Sequence, residues 1–242
     1  MTQGQRRHID LNADLGEGFP NDDALLDIVS SANVCASAYA GSLELTRRTI
    51  AAAAQRDVRI GAHVGYADRE NFGRRPFDIG ANALRDSLVT QVETCLEGAR
   101  QAGAVLTYVK PHGALYHAAA GEGEIVTLLV DLAARYGLGL LHQPNTALLR
   151  RAIERGVPCV KEGFADRRYL PSGRLVPRRQ PGALIEGREE VAEQALSLAR
   201  GEGSLAVESI CLHGDDRHAL RNARAVRAEL IGGGFTIRAP NE

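Results

Sequence analysis

Short runs of β-branched and other apolar residues recur along the whole chain, separated by alanine- and leucine-rich stretches of helical period. No other feature constrains the fold as tightly, because strands joined only through helices pair in parallel, and a parallel sheet must be covered by those helices. Strands are expected at 8–12, 33–38, 58–62, 105–110, 138–142, 158–162, 208–213 and 235–238, and helices at 21–30, 43–56, 80–102, 124–135, 145–155, 187–200 and 216–231. Oxygen acceptors mark helix starts at Asn21, at Ser42 with Glu44 following, and at Asn145 after Pro144. Gly103, Gly137 and Gly156 stand where helix ends need a left-handed residue.

There is no fixed-period repeat, low-complexity segment or linker, so residues 1–242 are expected to form one β/α domain. Barrels of this class commonly run to roughly 250 residues. A formal net charge of -1 offers no field for a phosphate backbone or an anionic bilayer, which argues against nucleic-acid and membrane partners. Neither the apolar core of a secretory signal nor a membrane-length apolar run is present, and Cys35, Cys95, Cys159 and Cys211 form no C-x-x-C pair. The expected setting is the reducing cytoplasm, with the thiols free and acting as small buried hydrophobes.

Of 29 basic residues only Lys110 and Lys161 are lysines. Both lie near the ends of apolar runs, where a compact ammonium can act as a guanidinium cannot. Parallel strands gather their C-terminal ends on one rim, and the polar residues closing these runs form a set: Asn12, Asp14 and Glu17; Tyr39; His63; Lys110 and His112; His142; Lys161, Glu162 and Asp166; His213 and Asp215. Long loops at 64–79 and 163–185 rise from the same rim. Such a set can serve acid–base catalysis, with His or Asp taking a proton from water and Lys110 stabilising an oxyanion. It can equally hold a divalent metal through two or three histidines and Asp14, and the spacing leaves both readings open. The D-L-G-E-G turn at 14–18 matches neither common nucleotide-binding glycine signature.

In order, IDLNADLGEGF, SSANV, IGAH, DRENFGRR, VKPHGALY, EGFADRRYLPSGRLVPRRQPGALI and CLHGDD resemble the LamB/YcsF family across residues 8 to 239. The resemblance implies an irregular β/α barrel of about seven parallel strands, related to glycoside hydrolase and deacetylase barrels. It also implies ATP-dependent opening of the lactam 5-oxoproline to glutamate together with two partner subunits, the sequence leaving open whether ATP is used by this chain or through those partners. Asp14, His63, Lys110, His112 and His213 then become the catalytic candidates. Asn12, Glu17, Tyr39, Arg69, Arg74, Glu162, Asp166, Arg167 and Asp215 become substrate-binding candidates, the arginines for a substrate carboxylate.

The chain departs from the family's usual A-C-G-F-H-A-G-D after the second strand, reading Cys35-Ala-Ser-Ala-Tyr39-Ala-Gly-Ser42. Tyrosine stands for histidine and serine for aspartate, an apparent loss of an acid–base or ligand pair. Val64 and Gly65 stand where the family commonly has Pro-Ser after the histidine, which suggests a reshaped pocket. Two other readings remain open: a divergent member acting on another carbonyl or amide, and a silent binding subunit.

Overall fold

The computed structural model describes residues 7–77, 79–178, 180–202, 205–215 and 218–240. The chain alternates as β1 (Arg7–Leu15), α1 (Asp22–Leu26), β2 (Ser31–Cys35), α2 (Leu43–Ala54), β3 (Arg59–Val64), α3 (Ala81–Gln101), β4 (Leu106–Pro111), α4 (Gly113–Ala119) and α5 (Glu124–Tyr136). It continues as β5 (Gly139–His142), α6 (Ala147–Glu154), β6 (Cys159–Phe164), α7 (Arg188–Arg200), β7 (Ser209–Leu212), α8 (Ala219–Gly232) and β8 (Phe235–Ile237).

Strands β1 to β7 pair in parallel in sequence order, and β1 closes the ring by pairing with both β7 and β2. The expected irregular β/α barrel is therefore the fold. The irregularity lies at β1, whose first residues pair instead with β8, Arg7 opposite Phe235 and Ile9 opposite Ile237. The outward faces of the strands, such as Leu11, Ala13 and Leu15, join the apolar cluster under the helices. Burying each such leucine contributes roughly 1.5–3 kcal/mol.

The inward faces are polar, and this positions the site. Asp10, Asn12 and Asp14 share the inner face of β1 at i, i+2 spacing and are all buried. At the lowest level Asp10 accepts hydrogen bonds from Ser30, Ser31 and Ser209. Above it, Asn12 donates to Ser209 and accepts from Asn33. Tyr108 fills the middle, its hydroxyl donating to Asn33 Oδ1 at 2.6 Å. Gly61 makes room for that ring, since a Cβ there would lie 2.2 Å from Tyr108 Cε2. Buried polar groups partnered this way avoid the 1–3 kcal/mol or so that each orphan would cost.

Several expected boundaries move. β1 runs on to Leu15 because its inward residues face a polar interior, so Asp14 belongs to the strand rather than following it. β2 lies earlier, at Ser31–Cys35, and β3 reaches Val64, taking His63 into the strand. The helix expected over 21–30 ends at Leu26, because Ile28 and Val29 turn inward and the Ser30 amide already donates to Leu11 O at 2.8 Å. The helix expected from 145 begins at Ala147, since Asn145 is left-handed with φ 61° and Thr146 is the capping residue. α4, seven residues long, is too short to leave a periodic signal. Residues 216–217, expected to start the last helix, lie outside the described residues. Ser42 caps α2 by accepting from the Leu45 amide, and Gly137 ends α5 in the left-handed region as expected.

Candidate active site

At the C-terminal end of the barrel the strands bring together an unbroken chain of polar contacts. Lys110 Nζ, at the end of β4, lies 2.9 Å from Asp14 Oδ1, 2.8 Å from Glu162 Oε1 and 3.1 Å from Cys211 Sγ. Asp14 Oδ1 also accepts from Asn33 Nδ2 on β2, and Asp14 Oδ2 lies 3.3 Å from His63 Nε2. His63 in turn faces His112, Nε2 to Nδ1 at 3.1 Å. Glu17 Oε1 stands 3.6 Å from His112 Nδ1 and accepts from the Tyr39 hydroxyl at 3.1 Å. One nitrogen of each imidazole is thus turned to the cluster, and the other is fixed by backbone: His63 Nδ1 meets Lys110 O at 3.1 Å, and His112 Nε2 meets Phe72 O at 2.9 Å.

Two elements close over this cluster. Tyr39, in the turn after β2, stacks on His112 with ring centroids 3.9 Å apart and planes 7° from parallel. Phe72, in the loop after β3, packs edge-on against both rings. Ser42 caps α2 through its side chain, outside the cluster, so of the two changes after the second strand only Tyr39 faces the site.

A second group lies alongside. His213 Nδ1 is 2.9 Å from Asp166 Oδ2, and the His213 backbone amide donates to the same oxygen. Phe164 stacks on the His213 ring and lies near Lys110, whose Nζ is 5.4 Å from the Phe164 centroid. Gly214 holds this strand end against β1, for a Cβ there would stand 2.7 Å from Asp14 O. At the rim, Arg74 and Arg178 both donate to Asp215, at 2.5 and 2.9 Å.

Electrostatics separates these groups. Burial alone would raise the Asp14 pKa, but His63 and then Lys110 outweigh it and hold the carboxyl well below its usual range. Glu17 is driven the other way, by burial and then by the charges of Asp14 and Asp215. Burial would lower the Lys110 pKa, yet Asp14 and its neighbours hold the ammonium charged. His112 is pushed well down, by burial first and His63 second. The environments of Asp14 and Glu17 thus push two neighbouring carboxyls apart, a pattern that separates proton holder from charge holder.

Of the candidate residues, Asn12, Asp14, Glu17, Tyr39, His63, Lys110, His112 and Glu162 therefore form one contact chain, with His213, Asp166, Asp215 and Arg74 beside it. Arg69 is placed elsewhere: its guanidinium donates to the carbonyls of Ser37, Ala40 and Gly41 and clamps the turn after β2. Arg167 is buried in the 163–185 loop and donates to Val176 O. His142 is a packing residue, fully buried, stacked on Tyr116 and bonded to Tyr116 O, with burial pushing its pKa down to about 4. Lys161 is exposed, because it points out of β6 while Glu162 points in. Cys211 is more than an apolar filler, since its sulfur accepts a hydrogen bond from Lys110. Phe72 and Arg178 were not among the candidates, although both lie in the quoted motifs, because nothing in those runs set Arg178 apart where almost every basic residue is arginine.

The profile of the LamB/YcsF family matches residues 9–242. A protein of Neisseria meningitidis serogroup A, named as the A component of 5-oxoprolinase, is 40% identical over 96% of this chain and 100% of its own length. A Nocardia farcinica protein of the same name is 42% identical over 96% of this chain and 98% of its own. The crystal structure of the lactam utilization protein from Thermus thermophilus superposes with a TM-score of 0.88 at 31% identity, covering 96% of this chain and 100% of that one. A family 4 carbohydrate esterase from Streptomyces lividans shares the fold alone, with a TM-score of 0.55 at 11% identity, over 96% of this chain and 91% of that one.

Proposed function

The chain belongs to the LamB/YcsF family, and from that premise we propose that it is a hydrolase opening a small lactam or cyclic amide of the 5-oxoproline type, in concert with partner subunits that use ATP. The observation that carries this reading is the presence of two distinct proton-handling groups at one strand-end site: the Asp14–His63–His112–Glu17 cluster and the separately held His213–Asp166 pair. Amide hydrolysis needs one group to take a proton from water and another to return one to nitrogen.

A water held at the cluster loses a proton to one of its acceptors as its oxygen bonds to the carbonyl carbon. His213, whose Nδ1–H is oriented by Asp166, presents Nε2 to the ring nitrogen and delivers a proton there as the C–N bond breaks. One water is consumed, and the ring opens to an amine and a carboxylate. Arg74 and Arg178, already converged on Asp215, can hold a substrate carboxylate at the rim. Lys110 is a positioning residue in this scheme, since Asn12, Asp14 and Cys211 accept from its ammonium and Glu162 pairs with its charge, which leaves no donor for an oxyanion.

The names of the Neisseria and Nocardia relatives support both the lactam substrate and the need for further subunits. Tyr39 favours a second reading within the same chemistry, a cyclic amide other than 5-oxoproline, because its ring occupies the space against His112. The test is to replace the A component of an active 5-oxoprolinase complex with this chain and follow glutamate release with ATP present. Release that His213→Asn abolishes supports the reading. No ring opening with 5-oxoproline or a panel of related lactams overturns it.

A further inference from the structure

We propose that Asp14, Glu17, His63 and His112 bind one divalent transition-metal ion of the zinc type. The two imidazoles are anchored alike. The far nitrogen of each faces a backbone carbonyl, Lys110 O for His63 and Phe72 O for His112, and only an N–H can satisfy a carbonyl. Both N–H groups are therefore committed away from the cluster. The near nitrogens, His63 Nε2 and His112 Nδ1, are left presenting lone pairs to each other at 3.1 Å. Two ring nitrogens at that distance are held together by a cation between them, either a shared proton or a metal ion, and the carboxylates around them decide for the metal. Carbonyl-anchored rings with the other nitrogen turned to a common point are also how proteins orient imidazole ligands.

The carboxylates face the same point. Asp14 Oδ2 stands 3.3 Å from His63 Nε2, and Glu17 Oε1 stands 3.6 Å from His112 Nδ1 and 3.9 Å from His63 Nε2. All four ligand atoms lie within 4.8 Å of one another. An ion with ligands at about 2.0–2.2 Å spaces neighbouring donors roughly 3.0–3.5 Å apart, so the His63–His112 and Asp14–His63 pairs already match such an ion and the wider pairs close on it by side-chain shifts of up to about 1 Å. Asp14 Oδ1 is already held by Lys110 and Asn33, which leaves Oδ2 oriented for coordination.

Charge points the same way. Along the contact chain three buried carboxyls, Asp14, Glu17 and Glu162, share one ammonium, Lys110, and an added dication would balance the excess. Two nitrogen donors select against magnesium and calcium, which take oxygen ligands, and favour zinc, cobalt or iron(II).

The inference rests on geometry, and its test does not assay hydrolysis, so its failure would leave the proposed reaction standing. Full-length protein stripped with a chelator is titrated with cobalt(II) and with zinc. One equivalent of each should bind per chain, with a visible cobalt absorption band and a raised thermal midpoint. His63→Gln and His112→Gln should each weaken binding at least about 10-fold, while His117→Gln, at an exposed position, leaves it unchanged. Should either variant fail to fold, zinc-edge anomalous diffraction from the wild-type protein decides, with a peak expected between His63 Nε2 and His112 Nδ1. No saturable uptake, uptake undiminished in both folded variants, or a peak elsewhere overturns the proposal.

Discussion

A Cβ atom at position 65 would stand 2.8 Å from Cδ1 of Tyr39, closer than real side chains approach. Two departures from the family pattern, tyrosine after the second strand and glycine after His63, are therefore one event, because the tyrosine ring occupies the volume that a serine Cβ would need. Backbone geometry does not require glycine there, since its φ is not left-handed and its N–H and C=O both pair with Gln91; the crowding comes from Tyr39 first and from His112 Cβ, at 3.3 Å, second.

Gly65→Ser should consequently destabilise the protein by about 1–3 kcal/mol, the usual scale of overpacking. Tyr39→His, a smaller ring, should relieve part of that loss, the contact with His112 Cβ remaining. Urea denaturation of both single variants and the double variant measures the coupling. Additive effects would separate the two positions. Ser42→Asp, at a helix cap that aspartate also serves well, should leave stability and activity unchanged.

Lys110→Met should cost about 3–5 kcal/mol, because it strands Asp14 and Glu162 as buried carboxylates without their cation. Chemical denaturation checks the magnitude. Adding Glu162→Gln should recover part of the loss by removing one of the stranded charges. A Lys110→Met protein as stable as wild type would show that the ammonium does not hold this floor together.

The rim carboxylate gives a pH signature. Burial would raise the Asp215 pKa, but His213, then Arg178 and Arg74, outweigh it and hold the pKa at about 2. Since the unfolded value is near 3.9, the stabilisation is complete above roughly pH 5 and is lost as the pH falls through about 2. With the arginines 24% and 30% exposed, screening keeps it to no more than about 2 kcal/mol. The stability gap between wild type and Asp215→Asn should be widest near neutral pH and close on acidification. A gap independent of pH would assign it to lost hydrogen bonds alone.

His213→Asn and Asp166→Asn should each lower kcat by roughly 10²–10⁴, as expected for loss of a positioned proton donor or its orienter, with KM little changed. Arg178→Ala should instead act mainly on KM, through the substrate carboxylate. A reversed pattern would move substrate binding to His213 and chemistry to the rim.

The alternation of short apolar runs with helical stretches was enough to define the β/α class and the rim on which the polar residues meet, because parallel pairing leaves a strand little choice about where its C-terminal end points. The motifs around Asp14, His63, Lys110 and His213 were likewise readable one strand at a time. What the sequence could not convey was which polar residues face each other. Asp14 looked like a residue beyond its strand because alternation read from outside treats a polar inner face as a loop, whereas the barrel interior pairs Asp10, Asn12 and Asp14 with partners from other strands. Lys110 and Lys161 looked equivalent, and the outward turn of Lys161 separates them. The contact of Tyr39 with Gly65, the facing nitrogens of His63 and His112, and the grip of Arg178 on Asp215 join residues from different segments. Local sequence determines which way each strand runs and which face it buries; closure of the ring decides which side chains share its floor, since those contacts depend on register and ångström-scale packing between segments far apart in the chain.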